Sequence, residues 1–188
     1  SLGEAQHAGP RQGDIFYLNC QNAPKLQALP VCGCKGTLLA FVFLQQEKNM
    51  NVMIHDSRLA ELLENSRSIA IVGAKDKPGQ PVDRVGRYLL DQGYDIFPVH
   101  PVRKSVWGID AYPSLADLPE AVDVVNLFRA PQFCPDHARE VSALAELPKL
   151  FWMQSGIASE EAVDLLADSS INVVQDRCIM VEHKRLCT

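Results

Sequence analysis

The residues able to do chemistry gather in one stretch, 68–84, which reads Ser-Ile-Ala-Ile-Val-Gly-Ala-Lys-Asp-Lys-Pro-Gly-Gln-Pro-Val-Asp-Arg. Its apolar half, Ile69–Val72, is short and rich in β-branched residues, the pattern of a strand buried on both faces. Gly73 ends that run. A loop rich in Pro, Gly and Lys follows, and Asp83 opens a helical pattern through Val85, Tyr88, Leu89 and Leu90. Strand, glycine loop and helix in this order bring backbone N–H groups and a helix N-terminus to one place, which is the chemistry of a phosphate site.

The elements that must position this stretch form an alternating pattern from Met53 onward. A helix is expected through Leu59, Leu62 and Leu63, capped at Asp56 or Ser57 and ending at Asn65. After the first strand and the helix 83–92, Gly93 stops the helix and Tyr94–Val99 forms a second strand. Ser114–Leu118 reads as one helical turn, Val122–Phe128 as a third strand and Pro135–Glu146 as a helix with Ala138, Val141, Leu144 and Ala145 on its apolar side. Leu150–Met153 is a fourth strand. Ser159 caps a helix whose first turn carries Glu160 and Glu161, as the helix dipole favours, Ile171–Val174 is a fifth strand, and 176–183 closes the domain. Strands separated by helical segments predict an α/β, Rossmann-like, doubly wound parallel sheet of about five strands with helices on both faces. Ligands of such sheets bind outside the carboxyl ends of the strands, so Gly73, Val99, His100, Phe128, Arg129 and Gln154 are expected on one rim.

The identity of the nucleotide is less constrained. The loop is not G-x-G-x-x-G, and the second strand ends Val99-His100-Pro101, followed by Arg103 and Lys104, where a plain dinucleotide site would want an acidic residue for the ribose. Positive charge there, with Lys75, Lys77, Arg84 and Arg129, suits a phosphorylated ribose, NADP-like or CoA-like. Each of Lys75, Lys77, Arg103 and Lys104 taken singly reads as a solvated surface charge. Arg84 sits in a helix's first turn, where the dipole disfavours a cation; either a bound anion or neighbouring Asp83 would compensate it. His100 titrates near neutrality but has no nucleophile or orienting carboxylate beside it in sequence. Trp107 and Trp152 read as core or cleft wall.

Several motifs occur in order: V-G-A-x-D-K-P-x-x-P-x-x-R-V-x-R-Y-L-L-D-Q-G-Y, then P-V-H-P, F-R, W-M-Q-x-G-I and N-V-V-x-D-R-C. Together they resemble the small bacterial CoA-binding proteins, whose domain is similar to the nucleotide-binding domain of the succinyl-CoA synthetase α subunit. The resemblance spans roughly Ile54 to Leu186 and implies a Rossmann-like domain holding coenzyme A or an acyl-CoA. It puts Gly73, Ala74 and Lys75 in the loop cradling the CoA diphosphate, with Lys77 and Arg84 close to the phosphates. Val99, His100 and Pro101 would border the adenosine, Phe128 and Arg129 would line the cleft, and Gln154, Ser155 and Gly156 would face the pantetheine arm. The chain departs from the pattern at Lys75, Val82 and His100, where the family often has small hydroxyl or amide residues. The histidine phosphorylated in the synthetase belongs to a second domain, and neither His137 nor His183 stands in a comparable glycine-flanked setting, so the synthetase reaction is not carried over.

The expected function is therefore a non-catalytic binding or regulatory module for CoA or acyl-CoA. The alternatives are an NADP-dependent reductase and a CoA-transferring enzyme completed by a partner chain. A third idea is redox regulation through a mixed disulfide between CoA and Cys178, against the commoner role of a packed, inert thiol.

Composition bounds these readings. With 188 residues, 47% of them apolar, the chain can bury a sizeable core. A net charge of -5 argues against non-specific nucleic-acid binding, and the longest apolar run, Thr37–Leu44, is too short to span a bilayer. The six cysteines are scattered apart from Cys32 and Cys34, with no second pair at zinc spacing. Reduced thiols and the lack of a signal-like start give an expectation of a cytoplasmic protein. Residues 1–52 have no sustained periodicity. They are read as an irregular extension, with Leu38–Leu44 its one candidate element, and much of it is expected to be upstream sequence translated in frame ahead of Met50 or Met53. The binding domain is placed at 53–188.

Overall fold

The computed structural model describes residues 54–187. The expectations for 1–52, including an element at Leu38–Leu44, lie outside the described residues.

Strand formation follows the apolar runs. β1 (Ser68–Val72), β2 (Asp95–Val99), β5 (Val124–Leu127), β6 (Leu150–Met153) and β7 (Asn172–Val174) form one parallel sheet in the order β2-β1-β5-β6-β7. Every residue of β5 and β6 is buried, as a sheet covered on both faces requires. Period-two alternation divides the strands between two cores. Ile69, Ile71, Val124, Leu150 and Trp152 face α1 (Asp56–Glu64), α2 (Pro81–Asp91) and α5 (Ile179–Leu186). Ala70, Val72, Val125, Leu127, Phe151 and Met153 face α3 (Cys134–Ser142) and α4 (Glu160–Leu166). The expected doubly wound sheet with helices on both faces is what the structure has. Trp152 is fully buried and its indole Nε1–H donates to the Arg177 carbonyl at 2.7 Å, so it is core.

Boundaries moved for local reasons. α2 starts at Pro81, two residues before Asp83, because Pro fits the first helical position, where its missing N–H has no partner to lose. α3 runs from Cys134 only to Ser142; Leu144 and Ala145 lie beyond it. Ser159 caps α4 as expected, its hydroxyl oxygen accepting the Ala162 N–H at 3.3 Å. The predicted turn at Ser114–Leu118 is a 3-10 turn, Leu115–Asp117.

The C-terminal helix and a hairpin were not expected. Residues 179–186 form α5, with Ile179 and His183 buried one turn apart. A two-stranded hairpin, β3 (Ser105–Val106) and β4 (Ile109–Asp110), turns through Trp107 and Gly108, both at positive φ (56° and 78°). A tryptophan in that conformation is costly, and its contacts say what holds it there. Its ring fills a notch at Gly86 of α2, where an added Cβ would lie 2.2 Å from the ring, and its Nε1–H donates to Asp83 Oδ1 at 2.8 Å. Arg87 Nε donates to the same oxygen at 3.0 Å. The indole bond, ahead of the Arg87 bond, holds the Asp83 carboxyl below its ordinary range.

Candidate functional site

The chain passes from β1 to β2 on one side of the sheet and then returns to β5 on the other side of β1. The carboxyl ends of β1 and β5 therefore form the switch point, where such sheets bind ligands. Gly73 stands there at φ 84°, and a Cβ on it would lie 2.6 Å from the Phe128 carbonyl oxygen and 3.2 Å from Arg129 Cδ. Only glycine satisfies both the backbone angle and the close approach of the neighbouring strand. The loops after β1 and β5 thus meet backbone to backbone.

The glycine loop supplies its donors further along than expected. The N–H groups of Gly73 and Ala74 both point at the Val99 carbonyl, at 2.9 and 3.4 Å, tying β1 to β2. Those of Lys75, Asp76, Lys77 and Gly79 have no acceptor among the described residues. Neither do those of Val82 and Asp83 in the first turn of α2, whose N-cap Gln80 makes no side-chain cap. Gly73 and Ala74 shape the loop, and the free N–H groups lie along its outer half and at the helix end.

The side chains add positive charge. Lys75, Lys77 and Arg84 are exposed and make no hydrogen bond or ion pair with the described residues. Asp83, the nearer explanation for Arg84, is instead engaged by Trp107 and Arg87. Arg103 is spent on Asp76, Nη1 to Oδ1 at 2.7 Å, a bond that fastens the loop after β2 to the loop after β1. His100 follows β2, and its Nδ1 accepts the N–H groups of Val102 and Arg103 at 3.2 and 3.3 Å. The neutral ring therefore carries its hydrogen on Nε2. Burial first, then the nearby charges of Arg103, Lys75 and Arg129, push His100 below its ordinary pKa.

Two cavities flank the switch point, one on each face of the sheet. The larger, about 420 Å³, lies on the α2 and α5 side and brings together Arg84, Phe128, Gln154 and Ser155 with Pro81, Val85, Ile157, Cys178, Met180 and Val181. Gln154 is buried, and its Nε2 donates to Asn126 Oδ1 at 2.8 Å; the Asn126 Nδ2 behind it is buried without a partner. Cys178 is the N-cap residue of α5. The smaller cavity, about 140 Å³, lies on the α3 side and brings together Gly73, Val99, Pro101 and Arg129 with Ser114, His137 and Glu140. Ala74, Lys75, Lys77, His100 and Gly156 line neither cavity, although all follow the carboxyl ends of strands. The Gly156 N–H is taken by Asp176 Oδ1 at 2.7 Å.

His137 and Glu140 were not singled out for this site by sequence reading. The signal was an i,i+3 His/Glu pair on a helix following the third strand of the sheet.

A CoA-type ligand can be tested against these groups. It would bring a diphosphate to free N–H donors and unpaired cations, and a pantetheine amide to the Gln154 side chain. Two buried donors, Asn126 Nδ2 and Arg129 Nε, have no acceptor among the described residues, an arrangement that is costly unless another group or water completes it. The residues fit the group.

Sheet order and strand-end geometry together define a Rossmann-like α/β domain. The chain belongs to the CoA binding domain family, whose model matches residues 67–184. Among curated proteins it is 35% identical over 127 residues to the uncharacterised protein YneT of Bacillus subtilis, covering 68% of this chain and 93% of YneT. A solved structure of a Thermus thermophilus protein, described as cell-free ID.343, superposes with a TM-score of 0.67 at 44% identity, covering 71% of this chain and 99% of that one. The apo dinucleotide-forming acetyl-coenzyme A synthetase 1 of Candidatus Korarchaeum cryptofilum shares the fold, with a TM-score of 0.54 at 23% identity over 62% of this chain and 27% of that one.

Proposed function

We propose that this chain binds coenzyme A or an acyl-CoA across the β1/β5 switch point, as a non-catalytic binding or regulatory module within residues 53–188. The observation that carries the reading is the set of unspent donors on one rim. The N–H groups of 75–77, 79, 82 and 83 converge with the unpaired side chains of Lys75, Lys77 and Arg84, in a member of a CoA-binding family. Diphosphate at the helix end, pantetheine over Phe128, Gln154 and Ser155, and adenosine toward Val99, His100 and Pro101 would use each group once.

Binding without chemistry is favoured by the state of the rim histidine. Its Nδ1 is occupied by backbone donors and its charged neighbours are cations, so it acts as a hydrogen-bond donor and not as a general base. The free thiols of Cys134, Cys178 and Cys187 accord with a reducing, cytoplasmic setting.

Calorimetric titration of the full chain with CoA, acetyl-CoA, NADP and NAD tests the reading. Binding of the CoA species alone, near micromolar and about -8 kcal/mol, is the expected result. Preference for NADP would replace it with a reductase, since the cations near the end of β2 would serve a phosphorylated ribose of either kind.

A further inference from the structure

The smaller cavity holds more chemistry than lining residues alone require. Glu140 reaches from α3 to the 3-10 turn, where Oε1 accepts the Leu115 N–H at 2.6 Å, while Oε2 accepts His137 Nδ1 at 3.1 Å. The His137 bond first, and the backbone bonds with it, hold the Glu140 carboxyl below its ordinary range in spite of burial. With Nδ1 donating, neutral His137 keeps an acceptor lone pair on Nε2, which has no partner among the described residues. On the facing side, the Arg129 guanidinium lies over the Phe133 ring, 5.0 Å from its centroid, and its Nε is buried with no partner. A cation held in place with an unmet donor is the half of a charge-assisted hydrogen bond that a protein can supply.

Apart from the Glu140 carboxylate, which the Leu115 N–H and His137 engage, and Asp76, the charges about the cavity are positive. The cations near enough to depress His100 are Arg103, Lys75 and Arg129. Asp76 answers Arg103, while among the described residues Lys75 has no counter-charge and Arg129 has only the Phe133 face. The remaining wall is mostly apolar, Val72, Val99, Pro101 and Pro113, with Gly73 and the polar Ser114. At about 140 Å³ the cavity is too small for a whole nucleotide, since ligand pockets usually run to about 300–1,000 Å³. It suits one polar piece of a ligand with an apolar edge.

We infer that this cavity and its mouth are the site of a ribose 3′-phosphate: the phosphate is received by Arg129 and Lys75, and a ribose hydroxyl donates to His137 Nε2, which Glu140 holds in orientation. The inference rests on the CoA reading above and deepens it. The third phosphate of CoA becomes the group by which the protein separates CoA from dephospho-CoA, and the two halves of the cavity have separable roles. Arg129 and Lys75 read the phosphate. His137 reads the sugar, which is present with or without it.

The test is titration of the full chain with CoA, dephospho-CoA, adenosine 3′,5′-bisphosphate and adenosine 5′-monophosphate. CoA should bind at least about tenfold more tightly than dephospho-CoA, and the bisphosphate should exceed the monophosphate by a similar factor, as expected for charge-assisted bonds to one phosphate. Arg129→Gln should bring both ratios close to one. His137→Phe should weaken all four ligands by a similar factor and leave the ratios standing. Lys75→Gln, on an exposed side chain, should reduce the ratios and serves as the reporter if Arg129→Gln unfolds in a thermal melt. Equal affinity for CoA and dephospho-CoA overturns the inference while leaving CoA binding intact. Failure of both to bind overturns the CoA reading and this site with it.

Discussion

The amino and carboxyl edges of the central sheet differ in how one cluster of polar groups at each is partnered. At the amino edge, Asp123 Oδ2 accepts the N–H groups of Arg67 and Ser68 at 2.8 and 3.2 Å, and its Oδ1 pairs with Lys149 Nζ at 2.7 Å. Lys149 Nζ also donates to the Asn65 carbonyl at 2.8 Å. The charges of Asp123 and Lys149 are closed within the protein. At the carboxyl edge, Lys75, Lys77 and Arg84 and two buried donors have no such partners among the described residues, and Gly73 sits at positive φ against a neighbouring carbonyl. Both edges belong to the same strands, so the contrast is not one of fold. It is the difference that the proposed ligand site rests on.

The largest effect should come from the one residue that serves both fold and site. Gly73→Val places a branched side chain at positive φ and against Phe128 O. The backbone penalty of about 1–2 kcal/mol and overpacking of about 1–3 kcal/mol should add in the denaturant midpoint, with loss of CoA binding. A variant of near wild-type stability would show that the β1 and β5 loops part easily and that the switch point is not rigid.

Asp123→Asn breaks the amino edge alone. Losing a part-buried carboxylate that accepts backbone N–H groups should cost about 1–3 kcal/mol, with CoA affinity unchanged. Burial pushes the Asp123 carboxyl up, but the Lys149 bond and the Arg67 and Ser68 N–H bonds together outweigh it, and the net shift is downward. The unfolded state therefore holds the proton more tightly. The stabilisation is fully present above the unfolded value near 4 and is lost as pH falls through the lower folded value. Urea midpoints between pH 6 and pH 3 should drop less in the variant than in the wild type; parallel curves would remove Asp123 from the account.

Arg84→Ala is the mirror image. The side chain is exposed and unpaired among the described residues, so stability should move by no more than about 0.5 kcal/mol. CoA affinity should fall by about tenfold if the side chain meets a phosphate. A loss of stability without a loss of affinity would reverse the roles given to the two edges.

The contrast between edges shows what was legible in the sequence. Strand-forming runs such as Ile69–Val72 and Leu150–Met153 carry their own evidence, because a strand buried on both faces must be apolar throughout. The rim residues followed, since strand ends in a parallel sheet share one edge. Pairings across long separations were not readable. That the Gly73 and Ala74 N–H groups are consumed by Val99 depends on the β1/β2 register, and Glu140 meets Leu115 only once α3 packs beside the 3-10 turn. The Trp107-Gly108 hairpin was missed because a tryptophan at positive φ is disfavoured locally, and only Gly86 and Asp83, a helix away, make it tolerable. α5 was missed because its apolar positions, Ile179, His183 and Leu186, include a histidine that counts as polar in sequence and is buried in the structure.

That same histidine supplies the subtlest comparison. His183 is buried, with Nδ1 at 2.8 Å from the Tyr88 hydroxyl oxygen and edge-on rings of Tyr88 and Tyr94 around it; burial lowers its pKa. His100 is lowered as well, by burial and by three cations at the rim. Both disfavour the imidazolium in the fold, so their contribution to stability is present above the unfolded value near 6.5 and is lost as pH falls through the folded values. A ligand separates them. Phosphate placed among Arg103, Lys75 and Arg129 offsets the charge that adds to burial in depressing His100, and its pKa should rise on binding of CoA, while that of His183 stays fixed. Titration of the two imidazole signals by NMR, with and without CoA, measures the difference directly. Equal movement of both would mean that the ligand changes the whole fold. Movement of neither would mean that its phosphates lie away from the end of β2, on the larger cavity's side of the sheet.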